Sequence, residues 1–241
     1  MTQISYDRVV LCGHGSGDSG FNIDFLKFVK KIRENLKNLN VDYCFIEKNR
    51  PSIKNYLSEF NYDLNRLIFV PALLFKGNHF NNDIKKKIIN YKKDNISPLV
   101  LDSINIEKEL LNIYIKKLKT EIIKGKENIL VTVATKSSNR IIRESLSNYT
   151  LKLSKGLGIK SKKNFLLGDK DIHNQISISN SDRFHLILHP IFLFGGHLYN
   201  KITNDFSQKY TNIHITQPLA KEKNVIKIFT NLIESKIKTI D

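Results

Sequence analysis

The stretch Leu67-Ile-Phe-Val-Pro-Ala-Leu-Leu-Phe-Lys-Gly-Asn-His79 has a second copy in the same chain, Leu186-Ile-Leu-His-Pro-Ile-Phe-Leu-Phe-Gly-Gly-His197. Each copy runs from an apolar segment through a proline to a Phe-X-Gly-X-His or Phe-Gly-Gly-His ending. The copies lie about 118 positions apart in a chain of 241 residues, a spacing typical of two copies of one half-sized unit. The sequence therefore predicts an internal repeat.

Segments typical of strands and of helices alternate around both copies. In the first half, the apolar segments that predict strands are residues 8–12, 41–46, 66–75 and 98–102. Apolar residues at helical spacing predict helices at 21–39, 52–60, 83–93 and 106–123. In the second half, strands are predicted at 129–134, 163–167, 184–194 and 212–216, and helices at 140–155 and 220–236.

The natural boundary between the halves is Lys124-Gly-Lys-Glu-Asn128, after which the pattern restarts. Strands that alternate with helices imply a parallel sheet with right-handed crossovers. We therefore predict an α/β protein of two tandem flavodoxin-like halves, residues 1–124 and 128–241. Each half is expected to hold a four-stranded parallel sheet flanked by helices.

The composition is typical of a compact protein with a sizeable core. Hydrophobic residues make up 41% of the chain, which includes 14 Phe, and no apolar run approaches the roughly 20 residues needed to span a bilayer. The N-terminal residues show no basic region followed by an apolar stretch, so we expect a cytoplasmic protein without a membrane partner. Cys12 and Cys44 lie in apolar runs, which favours two small buried side chains over a disulfide or a metal pair.

The formal net charge of +16 would suit a nucleic acid or an acidic small molecule as partner. Lys, Asn and Ile are abundant together, however, as expected of an AT-rich genome. The lysines are scattered over predicted helix faces and are not clustered beside aromatic platforms. This pattern favours a solvated surface, and we predict no nucleic-acid partner.

Three candidate functional residues follow predicted strands in the first half: His14, Glu47 and His79. Ligands of parallel α/β sheets gather beyond the carboxyl ends of the strands, so these side chains are expected to meet in one crevice. Two imidazoles can hold a divalent cation such as Co²⁺, Fe²⁺ or Ni²⁺, and a carboxylate can add a ligand or accept protons. So few protein ligands suit transient metal delivery better than a closed structural site.

Each of these residues also has a simpler interpretation. His14, in Gly-His-Gly-Ser-Gly, could cap the next helix or help to bind a phosphate, although no P-loop or G-x-G-x-x-G pattern follows. Glu47, near Lys48 and Arg50, could be a solvated ion-pair partner. His79 could be a helix-entry residue.

Together these motifs resemble the class II tetrapyrrole chelatases, specifically the long, two-domain form of sirohydrochlorin cobaltochelatase and the related sirohydrochlorin ferrochelatases. The resemblance covers nearly the whole chain. Its marks are Gly13-His-Gly-Ser16 with Asp18, Phe45-Ile-Glu47 with Pro51-Ser-Ile53, and Val70-Pro-Ala-Leu-Leu-Phe-Lys-Gly-Asn-His79 with Asp83-Ile84. The second half is similar to the degenerate repeat of that form.

The resemblance implies insertion of a divalent metal into sirohydrochlorin without ATP, with the macrocycle held in a cleft between the two halves. His14, Glu47 and His79 are the residues that it implies as both metal ligands and catalytic groups. Two pyrrole N–H protons must leave as the metal enters, and Glu47, or a histidine freed as the metal transfers, is the expected general base. No tightly bound cofactor is expected, because the metal is a substrate.

The carboxylates of such a substrate need donors. We expect the backbone amides of Ser16 and Gly17 to be two of these donors. Further substrate-binding residues are expected at Lys76, Gly77 and Arg140. Ser137 and Ser138, at the matching turn of the second half, are expected to offer a second anion nest.

Departures from the family pattern limit the prediction. Gly17 stands where many relatives carry Arg, Thr135 replaces the first-strand histidine, and Leu167 falls where Glu47 would repeat. The second half is therefore expected to lack a catalytic set. His197 repeats His79 and could add a cleft contact or a weak metal site, but a packing or capping role is favoured for it and for the other histidines of this half, His173, His185, His189 and His214.

Two other classes of function stay open at this point. A tetrapyrrole or metal carrier would keep both histidines without needing a proton acceptor, and a nucleotide-linked α/β protein is disfavoured by the absence of a phosphate-binding motif. Among chelatases we favour cobalt and cobalamin biosynthesis, because the two-domain form with a degenerate second half resembles the enzymes of that pathway, with iron and siroheme as the alternative. We expect a monomer, since two halves can close a cleft within one chain.

Overall fold

The structure is a computed structural model that describes residues 8–59, 67–75, 84–89, 98–135, 137–166 and 182–238, with residues 162–166 described by their backbone alone. The predicted α/β architecture is confirmed, because these residues form two four-stranded parallel sheets flanked by helices. None of the described helices is long and apolar enough to cross a membrane.

The first sheet has the order β2-β1-β3-β4, and all its neighbouring strands are parallel. Its strands are β1 (Arg8–Gly13), β2 (Asn40–Phe45), β3 (Leu67–Pro71) and β4 (Leu99–Val100). The helices between and after them are α1 (Ser19–Asn35), α2 (Ile53–Glu59), α3 (Lys86–Ile89), α4 (Ile106–Glu109) and α5 (Leu111–Lys119).

The second sheet repeats this topology as β6-β5-β7-β8, again with parallel neighbours. Its strands are β5 (Glu127–Thr135), β6 (Lys160–Leu166), β7 (Phe184–Pro190) and β8 (Ile213–Ile215). Its helices are α6 (Arg140–Leu157) and α7 (His197–Lys209), and a 3₁₀ turn (Leu219–Lys221) leads into α8 (Lys223–Lys238). The helix α7 was not predicted from the sequence pattern.

The helix that follows the first strand of each sheet begins at a capping side chain. Asp18 accepts a hydrogen bond from the Phe21 amide at 3.0 Å at the start of α1, and Asn139 accepts one from Ile141 at 2.9 Å at the start of α6. Such caps satisfy amides that have no partner within the helix. The helix α6 ends at Gly158, whose φ of 68° is the left-handed conformation that suits glycine.

The helices that follow the last strand of each sheet, α4 and α5 after β4 and α8 after β8, pack differently from what the sequence repeat suggests. The first compact unit comprises Met1–Ile104 and Ala220–Asp241, and the second comprises Asn105–Leu219. In the first unit α8 packs on α1, where the rings of Phe28 and Phe229 lie 5.0 Å apart at an interplanar angle of 83°.

In the second unit α4 and α5 pack on α6. There a Cβ on Gly156 would lie 2.4 Å from Ile115 Cδ1, so the glycine lets the two helices approach closely. The predicted halves 1–124 and 128–241 follow the sequence repeat, whereas the packing assigns the helices of residues 106–119 to the second sheet and α8 to the first.

The two cysteines lie on neighbouring strands of the first sheet, where Cys12 is paired with Cys44 in the parallel register. Both side chains are fully buried, and their sulfur atoms lie 3.5 Å apart, well beyond the length of about 2.05 Å of a disulfide bond. Burial raises the pKa of the Cys12 thiol. The cysteines are free and buried, as predicted.

His189, on β7, is a packed core residue of the second unit. Its ring is fully buried, with Nε2 3.0 Å from the Tyr149 hydroxyl and Nδ1 2.7 Å from Thr216 Oγ1. The ring of Tyr114 lies against it at 4.2 Å between centroids. Burial lowers the pKa of His189 to about 3, and the positive charge of Lys117 acts in the same direction.

The burial of the cysteines predicts that neither thiol reacts in the folded protein. Ellman's reagent should label neither thiol under native, non-reducing conditions and two per chain in guanidinium chloride, because both sulfur atoms are inaccessible in the folded protein. Rapid labelling of the native protein would contradict the buried placement, and fewer than two labelled thiols after unfolding would contradict the free state.

The low pKa of His189 predicts that stability falls as the pH drops below about 6.5, the value of an unfolded histidine. Between that pH and about 3 the unfolded chain binds a proton at this residue that the folded chain does not, which costs about 1.4 kcal/mol per pH unit. Urea unfolding at pH 7, 6 and 5 should show a steeper loss for wild type than for His189→Gln.

The matched control is Thr216→Val, which removes one hydrogen bond to the ring but keeps the titrating group. It should be less stable than wild type at every pH and keep the wild-type slope. Equal slopes for wild type and His189→Gln would show that this imidazole does not cause the loss.

Candidate functional site

The site starts where β1 and β2 end side by side. Gly13 is paired with Phe45 in the register, and the parallel hydrogen bonding continues past the strands, since Ile46 donates to the Gly13 carbonyl at 2.8 Å and Glu47 to the His14 carbonyl at 3.0 Å. His14 and Glu47 therefore leave the sheet as neighbours, as the rule on strand ends predicts.

The two side chains face each other. His14 Nδ1 lies 3.7 Å from Glu47 Oε1, and the side chains keep 34% and 41% of their surface exposed. The same nitrogen is 2.9 Å from the Gly15 carbonyl oxygen. An imidazole and a carboxylate at this separation, both open to solvent, can share a metal ion or exchange a proton.

Gly15 allows the loop after β1 to touch the loop after β2. Its φ is +86°, and a Cβ on this residue would lie only 1.9 Å from the Glu47 carbonyl oxygen. The loop after β2 turns at Lys48, a non-glycine residue with φ of 60°, and Asn49 donates to the Glu47 carbonyl at 2.6 Å. Left-handed backbone at a lysine is sparsely populated, so its surroundings must hold this turn in place.

Ser16 makes three hydrogen bonds within this region. Its amide donates to Asn49 Oδ1 at 2.6 Å, its hydroxyl accepts from the Asp18 amide at 3.0 Å, and its carbonyl accepts from Asn22 Nδ2 at 2.9 Å. The Ser16 amide thus donates to Asn49 in this structure, and roles for Ser16 and Gly17 in substrate binding stay predictions. Gly17 is exposed, and a Cβ there would meet nothing within 4 Å.

The contact of Asn49 with Ser16 is a part of the site that the sequence analysis missed. The two residues are 33 positions apart, and no local pattern relates them. The parallel pairing of β1 with β2 was the signal that could have suggested it, because the segments that follow two paired strand ends leave the sheet side by side.

The third predicted ligand, His79, lies outside the described residues, as do Lys76 and Gly77. The strand that leads towards them ends beside β1, where the Ala72 amide donates to the Cys12 carbonyl at 2.9 Å. Within the described parts of the chain, no three His, Cys, Asp or Glu side chains are grouped so as to hold a metal ion. The structure brings together His14 and Glu47, and the participation of His79 stays a prediction.

The alternative roles of His14 and Glu47 fit the geometry less well. The side chain that caps α1 is Asp18, not His14. Among the described residues, the ionic partner of Glu47 is His14, while Arg50 donates from Nη1 to Asn55 Oδ1 at 3.2 Å.

The matching turn of the second unit repeats the capping pattern without the histidine. Ser137 Oγ accepts from the Asn139 amide at 3.1 Å, just as Ser16 Oγ accepts from Asp18. Arg143 donates to the carbonyls of Ser137 and Ser138 at 2.9 and 2.6 Å.

Arg140, which is 82% exposed, pairs with Glu144 at 2.6 Å. In the described structure these residues thus contact neighbours in the same turn and helix. Roles for Ser137, Ser138 and Arg140 in substrate binding stay predictions.

The other histidines of the second half are not grouped as a metal site in the described structure. His185 is buried, His214 Nδ1 lies 3.0 Å from Glu121 Oε2, and His197 is the exposed first residue of α7. Burial lowers the pKa of His185. His173 lies outside the described residues.

The two glycines of the first loop should differ sharply in their tolerance of a side chain. Gly15→Ala should lower the free energy of unfolding by about 1–3 kcal/mol or more, because the Cβ would overlap the Glu47 carbonyl and the φ is unfavourable for alanine. Gly17→Ala, the matched control, should change it by less than about 0.5 kcal/mol. Equal effects in urea unfolding would contradict the close approach of the two loops.

Two sequence comparisons each match part of the chain. Residues 8–121 match the CbiX family. The MATH and LRR domain-containing protein PFE0570w of Plasmodium falciparum (isolate 3D7) is 31% identical over 134 residues, which cover 51% of this chain. This chain spans 1% of the length of that protein.

Solved structures share the fold over nearly the whole chain. SirB from Bacillus subtilis with Fe³⁺ has a TM-score of 0.77 at 16% identity, covering 97% of this chain and 96% of that one. The sirohydrochlorin chelatase SirB from Bacillus subtilis subspecies spizizenii in complex with cobalt has a TM-score of 0.75 with the same identity and coverage.

A third structure, of CbiX described as the terminal enzyme for biosynthesis of siroheme in denitrifying bacteria, has a TM-score of 0.69 at 11% identity, covering 96% of this chain and 99% of that one. At these identities the structural likeness shows the fold. The match to the CbiX family thus concerns residues 8–121, and the fold of nearly the whole chain is that of these solved structures.

Proposed function

We propose that this chain is a sirohydrochlorin cobaltochelatase, which inserts Co²⁺ into sirohydrochlorin without ATP in cobalamin biosynthesis. The observation that carries the proposal is the approach of His14 Nδ1 to within 3.7 Å of Glu47 Oε1 in the half of the chain that matches CbiX. The proposal also includes a monomeric, cytoplasmic protein.

In the proposed reaction, His14 binds the divalent metal as it loses water, with His79 as the second imidazole. The macrocycle must give up two N–H protons as its nitrogens take the metal. Glu47, or a histidine freed by the metal, accepts these protons. The carboxylate beside His14 is suited to this step because it is partly exposed and can pass protons on to water.

The principal alternative is a sirohydrochlorin ferrochelatase of siroheme biosynthesis. One SirB structure is described with Fe³⁺, another with cobalt, and the CbiX structure is described as an enzyme of siroheme biosynthesis. The pair of His14 and Glu47 suits Fe²⁺, Co²⁺ and Ni²⁺ alike, because affinity for such ligands does not by itself determine selectivity.

We predict that wild type accelerates metal insertion into sirohydrochlorin and that His14→Ala abolishes the acceleration. The assay follows the absorption spectrum of the tetrapyrrole under anaerobic conditions, with Co²⁺, Fe²⁺ and Ni²⁺ in parallel. Initial rates that rank Co²⁺ first would support the cobalt enzyme, and rates that rank Fe²⁺ first would favour the ferrochelatase. A wild-type rate no faster than the uncatalysed control with every metal would contradict the chelatase proposal.

Replacement of the carboxylate separates a chelatase from a carrier. Glu47→Gln should lower the insertion rate by about 10²–10⁴-fold, because the amide cannot accept the pyrrole protons, while the tetrapyrrole is still bound. Glu234→Gln, at an exposed position on α8, is the control and should keep the wild-type rate. Full activity of Glu47→Gln would exclude this carboxylate as the base.

A further inference from the structure

The loops that carry His14 and Glu47 are joined by one side chain. Asn49 follows Glu47 by two positions, as Ser16 follows His14, and its Oδ1 accepts the Ser16 amide at 2.6 Å. The backbone amide of Asn49 donates to the Glu47 carbonyl at 2.6 Å. Asn49 therefore contacts both the carboxylate loop and the histidine loop.

Asn49 acts where the strand hydrogen bonds have ended. The last backbone bond between the two loops runs from the Glu47 amide to the His14 carbonyl, at 3.0 Å, and it fixes only the starting point of each side chain. Beyond it the chain turns through Lys48 with φ of 60°, a conformation that needs support from its surroundings. The bond from Ser16 to Asn49 supplies that support from the opposite loop.

The chemistry of the contact favours an amide side chain at this position. The partner is a backbone N–H, which only donates, so the atom of Asn49 that faces it is the carbonyl oxygen Oδ1. A neutral acceptor makes this bond without placing a second negative charge beside Glu47. Asparagine also suits turns, because its short polar side chain can bond to the backbone of neighbouring segments.

We infer that Asn49 is a positioning residue, which holds His14 and Glu47 at the separation that metal handling requires. The inference rests on the proposed function for its consequence in catalysis. Metal ligands and catalytic bases must be held within about 0.5 Å of the productive geometry. Residues that hydrogen-bond to the segments carrying these groups restrict their movement. Loss of the Asn49 side chain would let the two loops move apart beyond the end of the ladder.

The experiment compares Asn49→Ala, Asn49→Asp and Asn55→Ala with wild type. Asn49→Asp keeps an oxygen acceptor for the Ser16 amide. Asn55 is the matched control, because its side chain bonds to Arg50 and Ser52 in the same segment and does not reach the His14 loop in any contact described. The readouts are kcat, KM for Co²⁺ and KM for sirohydrochlorin, Co²⁺ affinity by titration, and exchange of the Ser16 amide by NMR.

Asn49→Ala should lower kcat by about 10- to 100-fold and raise KM for Co²⁺, because small displacements of reacting groups are costly. KM for sirohydrochlorin should stay within about twofold of wild type, Co²⁺ affinity should fall about tenfold, and the Ser16 amide should exchange at least about tenfold faster. Asn49→Asp should restore slow exchange of the Ser16 amide because it keeps the acceptor oxygen, but it should recover only part of kcat because it adds a negative charge beside Glu47. Asn55→Ala should match wild type.

The outcomes separate this inference from the proposed function. If wild type inserts metal and Asn49→Ala has wild-type kcat and Co²⁺ affinity, the positioning role is overturned while the chelatase stands. If wild type inserts no metal, the chelatase proposal fails, and the inference is then judged by Co²⁺ affinity and Ser16 exchange. Unchanged values of these two quantities, or no Co²⁺ binding by wild type, would overturn it as well. Loss of folded protein alone would leave both KM values unchanged and would also count against positioning.

Discussion

The parallel hydrogen-bond ladder of β1 is the constraint on which the candidate site depends. This strand pairs with β2 on one side and with β3 on the other, and its residues from Val9 to Gly13 are buried. Because both neighbours run parallel to it, their carboxyl ends emerge at one edge of the sheet. The approach of His14 to Glu47 follows from this register, since a shift by one residue would turn each side chain to the other face.

The alternation of strands and helices could be predicted because buried parallel strands are continuous apolar runs and the helices carry an apolar stripe. The ends of the strands and helices were less predictable. The strand β3 was expected to extend to residue 75 but ends at Pro71, because proline has no amide to donate to the hydrogen bonds of a sheet. The missed helix α7 begins at His197, and its N-cap residue, Gly196, offers no capping side chain, so the start of the helix has no local signal. Nor could the sequence predict that α4 and α5 pack in the second unit and α8 in the first, because the apolar stripe of a helix does not specify which sheet it covers.

At the site, the positions of the strand ends were enough to predict that His14 and Glu47 lie close together. They were not enough to predict the contacts between the two loops that carry these residues. The sequence did not indicate that Gly15 lets two backbones approach closely. Nor did it indicate that Asn49 accepts a hydrogen bond from the Ser16 amide. Such contacts depend on the three-dimensional proximity of loops that are remote in sequence, and local residue patterns carry no information on that proximity.

The packing of α8 on the first unit also bears on how the chain is made. The second unit, Asn105–Leu219, is one continuous segment, so all of its parts have been synthesised before residues 220–241, which carry α8, leave the ribosome. The first unit is begun before the second but lacks α8 until these residues have been translated, and Phe229 does not cover the Phe28 face of α1 until then. The unit that is begun first is therefore completed after the other, and a nascent chain must keep the α1 surface from aggregating until α8 arrives.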